Sequence, residues 1–114
     1  FVIDGSGSMA PADWKNMQDF MDNLTSQFNV TADMAHIGAF EFSGINQGKL
    51  VSNLTDSEQT FEADVSKMAE IGGLTAIGDG IKNGQAELAK GRSGIPHLMI
   101  LMTDGIENQQ SDPV

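Results

Sequence analysis

The chain has 114 residues, no cysteine, and sixteen acids against six bases, for a formal charge of -10. That length gives one domain with room for a hydrophobic core, while the charge repels phosphate backbones and anionic lipid and attracts cations. The missing thiols exclude a disulfide scaffold and thiolate catalysis, and no apolar run approaches the roughly 20 residues that span a bilayer.

Phe1 to Asp4 reads as a buried strand that runs into an oxygen-rich, Gly-softened loop, Gly5-Ser6-Gly7-Ser8-Met9-Ala10. Asp4, Ser6 and Ser8 occupy alternate positions, so an extended backbone points all three to one side. A carboxylate and two hydroxyls are hard donors of the kind that Mg²⁺, Ca²⁺ or Mn²⁺ select, without the softer donors preferred by zinc or copper. A strand that opens at the first residue also leads us to expect further chain upstream, so the lack of a visible signal peptide carries no weight.

Pro11 suits the first turn of a helix. Trp14, Met17, Met21, Leu24 and Phe28, with Phe20 beside them, recur at three- and four-residue steps and predict an amphipathic helix over 11–28. Met34 to Phe42 is expected as an internal strand, with His36 an ordinary strand-end residue and Glu41 facing opposite to Phe40 and Phe42, near the sheet's polar end. A short turn then leads to an edge strand over 49–54, antiparallel to its predecessor. Asp56-Ser57-Glu58-Gln59 carries the signature of a helix start. Phe61, Val65, Met68 and Ala69 line its buried side up to Ile71, and Gly72-Gly73 stops it.

Leu74 to Ile81 forms a second loop entering a helix. Gly78, Gly80 and Gly84 each cost about 1 kcal/mol there relative to Ala, which implies close packing or mobility. Leu98 to Met102 is apolar throughout and predicts a buried strand that ends in Thr103-Asp104-Gly105. Residues 107–114 read as polar loop.

Strand, helix, hairpin, helix, helix, strand is the order of an open, mostly parallel α/β sheet, in which ligands bind at the carboxyl ends of the strands. Two strands end there in Asp-Gly. Asp4 and Asp104 are therefore expected as spatial neighbours, with Thr75 placed to join Ser6 and Ser8 beside them. Each residue has a plainer reading: Ser6, Ser8 and Thr75 as helix caps, Asp104 as a turn former. Jointly they favour one shared cation site.

Two rival motifs fail. Gly5 to Ala10 fits G-x-G-x-x-A, but Asp4 would lie against a pyrophosphate and no acid ends a second strand about 20 residues on. Gly5-Ser6-Gly7 lacks the spacing of a hydrolase nucleophile elbow, and neither His36 nor His97 sits in an evident catalytic loop.

Asp4-Gly5-Ser6-Gly7-Ser8, Gly72-Gly73-Leu74-Thr75 and Thr103-Asp104-Gly105, in this order and element context, resemble the von Willebrand factor A-type domain. The resemblance implies a metal-ion-dependent adhesion site. Ser6, Ser8 and Thr75 would contact the metal directly, and Asp4 and Asp104 directly or through water. It also implies a doubly wound, Rossmann-like sheet of order 3-2-1-4-5-6 with a short antiparallel third strand. Residues 1–114 would then be a single domain truncated at both ends, holding order 3-2-1-4 and leaving strand 98–102 as an apolar edge.

The function expected is protein binding in adhesion or matrix assembly, without catalysis, through Mg²⁺ (or Mn²⁺ or Ca²⁺) that takes a carboxylate from a partner protein. Neither nucleic acid nor membrane insertion is expected. Sequons at Asn23, Asn29 and Asn53 point to a secreted or cell-surface glycoprotein. The alternative is an intracellular A-type scaffold of an ATPase or chelatase complex. A metal-dependent hydrolase is the weakest reading, since only Glu41 or Glu107 offers a general base.

Overall fold

The computed structural model describes residues 1–7 and 9–103. Its elements run β1 (Val2–Asp4), α1 (Pro11–Thr25), β2 (Ile37–Phe42), β3 (Lys49–Thr55), α2 (Glu58–Lys67), α3 (Ile77–Leu88) and β4 (Leu101–Met102). The sheet order is β3-β2-β1-β4. β1 pairs in parallel with β2 and β4, and β2 pairs antiparallel with β3. The open α/β architecture expected from the element order is the one observed.

Strand alternation assigns the two faces. Ile3 and Ala39 turn to one side and pack with Met17 and Met21 of α1, Phe61 and Val65 of α2, and Met68. Val2 and Phe42 turn to the other and meet α3. That helix lies so close that a Cβ on Gly80 would stand 2.5 Å from the Phe42 ring, and one on Gly84 would stand 2.4 Å from Val2. Gly80 and Gly84 are thus explained by approach to the sheet. Ser57 caps α2, its hydroxyl accepting the Thr60 N–H at 3.2 Å.

Three boundaries shift. α1 ends at Thr25, so its inward stripe is Met17, Met21 and Thr25, while Phe20 and Phe28 are exposed. β2 begins at Ile37, because residues 31–35 first turn back on themselves through Met34 N–H to the Thr31 carbonyl and Ala35 N–H to that of Asn29. His36 lies outside the strand, its Nε2 3.1 Å from the Ala32 carbonyl. α2 stops at Lys67, leaving Ala69 and Ile71 exposed.

The strand expected over 98–102 needs a larger correction: only Leu101–Met102 is extended in the sheet, and Leu98 is 70% exposed rather than buried. β4 has one neighbour among the described residues, β1, so its approach is covered on one edge alone. The polar tail 107–114 lies outside the described residues.

Candidate metal centre

Asp4 is the last residue of β1, and the parallel ladder places it beside Phe42 at the end of β2. The ladder continues one step further, with Gly5 N–H donating to the Phe42 carbonyl at 2.7 Å. The chain then turns over the Asp4 side chain: Ser6 N–H donates to Asp4 Oδ1 at 2.9 Å. From β4, Thr103 Oγ1 donates to Asp4 Oδ2 at 2.7 Å. Both carboxylate oxygens are held, and the carboxylate is 1% exposed. Its two donors are neutral, so neither supplies a counter-charge.

The third segment is the loop between α2 and α3. Gly72 N–H donates to the Gly5 carbonyl at 2.7 Å, and Gly7 N–H donates to the Gly73 carbonyl at 3.2 Å. This two-bond zipper needs a backbone turn that an L side chain resists: φ is +82° at Gly72 and +84° at Gly73. Past Thr75, Ala76 N–H donates to the Ser43 carbonyl at 2.8 Å, tying the loop to the end of β2. Thr75 is pinned on both sides and is 2% exposed, as is Ser6.

Neither Ser6 nor Thr75 is a helix cap residue. The cap of α1 is Ala10 and that of α3 is Ala76, neither with a side-chain capping bond. Asp4, Ser6 and Thr75 are buried polar side chains on loops that the sheet and the zipper bring together at the carboxyl ends of the strands. Ser8 and Asp104, the other two expected ligands, lie outside the described residues. No group of three His, Cys, Asp or Glu fit for a metal occurs among the described residues. Among the described residues the candidate donors are one carboxylate with hydroxyls, a set that fits a hard divalent cation.

One residue was misplaced by the pattern. Glu41 does face opposite to its neighbours, but that side is the α1/α2 face, and Glu41 is fully buried rather than at a polar end. Its Oε1 accepts the Ile71 N–H at 2.8 Å, and Oε2 has no hydrogen-bond partner among the described residues. Burial pushes its carboxyl up to about 7. The Ile71 N–H and the Lys49 charge oppose that rise, and Glu70 adds to it. Thr103 was likewise legible only as part of a motif; its bond to Asp4 required the β1–β4 register.

The three sequon asparagines are exposed: Asn23 on α1, Asn29 in the following loop and Asn53 on the edge strand β3. No helix among the described residues is long and apolar enough to cross a membrane.

The model of the von Willebrand factor type A domain matches residues 1–114. The chain is 31% identical over 108 residues to the mouse collagen alpha-5(VI) chain, covering 92% of this chain and 4% of the collagen. It is 27% identical over 109 residues to chicken matrilin-1, covering 92% of this chain and 22% of the matrilin. Its fold is similar to that of proximal thread matrix protein 1 from the mussel byssus, with a TM-score of 0.82 and 30% identity over 95% of this chain and 28% of that one. That mussel structure has a zinc-occupied MIDAS motif. The chain thus spans a small part of the relatives it matches.

Proposed function

The chain belongs to the von Willebrand factor type A family, and on that premise we propose that it is a metal-dependent protein-binding module of the extracellular matrix. The observation that carries this reading is the joint burial of Asp4, Ser6 and Thr75 at the strand carboxyl ends, where the donors to Asp4 among the described residues are the neutral Ser6 N–H and Thr103 hydroxyl. Ser8 and Asp104 complete the proposed ligand set. A divalent cation held there, Mg²⁺ or alternatively Mn²⁺ or Ca²⁺, would supply a Lewis-acidic position for a carboxylate of the partner protein.

The residues of the chain act by positioning. Ser6 N–H and Thr103 Oγ1 fix the orientation of Asp4, while the Gly5–Gly73 zipper holds the Ser6 loop against the Thr75 loop. Preorganised donors lower the cost of ordering the site when a ligand arrives. The role is binding without catalysis, in keeping with relatives that are collagens, a matrilin and a thread matrix protein. Those relatives also favour an extracellular location over an intracellular ATPase scaffold. Zinc in the mussel protein fits the general rise in affinity from Mn²⁺ to the later divalent metals, so occupancy depends on availability as well as donor hardness.

The test is calorimetric titration of chelator-stripped protein with Mg²⁺, Mn²⁺, Ca²⁺ and Zn²⁺, repeated on Ser6→Ala. One-to-one binding that Ser6→Ala weakens at least about tenfold is expected from loss of a direct donor. Equal affinity in the variant would place any cation elsewhere.

A further inference from the structure

The two loops that carry Ser6 and Thr75 meet a side chain that belongs to neither. Glu41 comes from the penultimate position of β2, level with Ile3, and reaches up the α1/α2 face of the sheet. Its Oε1 takes the N–H of Ile71, the residue immediately before the Gly72-Gly73 turn. The same carboxylate lies flat against the Cα of Gly5: a Cβ there would stand 2.0 Å from Oε1 and 2.7 Å from Cδ. Gly5 donates to the Phe42 carbonyl and accepts from Gly72 N–H. One buried side chain therefore contacts both halves of the zipper.

We propose that Glu41 is a positioning residue that clamps the Ser6 loop and the Thr75 loop in register beneath the metal centre. The proposal rests on the metal reading only for its consequence, which is that loss of the clamp weakens cation binding.

A buried carboxylate is a costly way to fill space. Glu41 is 0% exposed and its Oε2 has no hydrogen-bond partner among the described residues, whereas an apolar side chain of similar size would fill the same volume without desolvating a carboxyl. What an apolar residue cannot do is accept the part-buried Ile71 N–H. The clamp also explains the residue between Asp4 and Ser6. Gly5 leaves the space that the Glu41 carboxylate occupies, so the two positions form a matched pair across β1 and β2.

The test is hydrogen exchange of the Gly7 and Gly72 amides in chelator-stripped protein, for wild type, Glu41→Gln, Glu41→Leu and Gly5→Ala. Urea unfolding of each variant runs alongside. Gln keeps an acceptor oxygen for Ile71 and is expected to hold both amides near wild-type protection. Leu removes it, so the two amides should exchange at least about tenfold faster, the equivalent of one hydrogen bond to an ionisable group, with global stability not reduced. Gly5→Ala should reproduce the loss by pushing the carboxylate aside. Unchanged protection in Glu41→Leu overturns the clamp, as does a loss no greater than its drop in global stability accounts for.

A Mg²⁺ titration separates the two readings. Weaker binding in Glu41→Leu that Glu41→Gln restores supports both. Wild-type protein that binds no divalent cation while Glu41→Leu still loses zipper protection removes the metal reading and keeps the clamp.

Discussion

Thr103 and Asp4, 99 residues apart in the chain, share a hydrogen bond of 2.7 Å across the β1–β4 register. The bond joins the end of the last described strand to the carboxylate at the end of the first. It ties the orientation of Asp4 to the docking of β4 beside β1.

Thr103→Val keeps the shape and removes the donor. Asp4 Oδ2 then loses the hydroxyl that holds it. The expected loss is about 1–3 kcal/mol of unfolding free energy in chelator-stripped protein, measured by urea denaturation. No change would mean that the bond contributes nothing net.

Packing of α3 gives a second prediction. Replacing a helical glycine by alanine ordinarily gains about 1 kcal/mol. At Gly80 the new methyl would enter the ring of Phe42, which is fully buried and has no room to turn. Overpacking costs about 1–3 kcal/mol, so Gly80→Ala is expected to be neutral to destabilising by roughly 2 kcal/mol. A lower chemical-denaturation midpoint checks it, and a clear gain in stability would show that α3 moves off the sheet freely.

The pH dependence follows from Glu41. Its ordinary carboxyl value is 4.5, and burial raises it to about 7 in the folded protein. Between those values the folded state holds a proton that the unfolded state has released. The contribution is therefore fully present below about 4.5 and is lost as the pH rises through about 7. Its size is at most about 3 kcal/mol. Chelator-stripped wild type should lose more stability than Glu41→Gln between pH 4.5 and pH 7.5, by urea denaturation. Parallel profiles would show that Glu41 titrates as an ordinary surface acid.

The exposed sequons predict glycan. Expressed through a eukaryotic secretory pathway, the chain should carry N-linked sugar that peptide N-glycosidase F removes, with a mass drop abolished by replacing Asn23, Asn29 and Asn53 together with Gln. Unmodified mass would leave all three as ordinary surface asparagines.

Much of the fold was legible because its signals are local. The apolar runs at 1–4 and 37–42, the Met-spaced stripe of α1 and the Ser57 cap each specify their own element. Gly72-Gly73 read as the stop of α2, but that helix already ends at Lys67, and the positive φ of both glycines serves the zipper instead. Glu41 shows where local pattern stops. Alternation gave the correct face, but whether that face is wet depends on α1 and α2 arriving from elsewhere in the sequence. Leu98 shows the reverse: an apolar run reads as buried, yet Leu98 lies before the two residues that pair with β1 and is exposed. Within the proposed site, Asp4, Ser6 and Thr75 could be recognised as polar residues at strand and helix ends, while their common burial is a property of the zipper and of the sheet register. Thr103 carries a bond that no spacing rule announces.

Asp4, Ser6 and Thr75 are proposed to hold a divalent cation through which a partner protein binds. The most direct measurement is binding of the chain to immobilised extracellular matrix extract in Mg²⁺, in excess EDTA, and after Mg²⁺ is restored, with Thr75→Ala alongside. Binding that vanishes in EDTA, returns with Mg²⁺ and is absent in a folded Thr75→Ala is the predicted result. Binding that persists unchanged in EDTA would contradict the account.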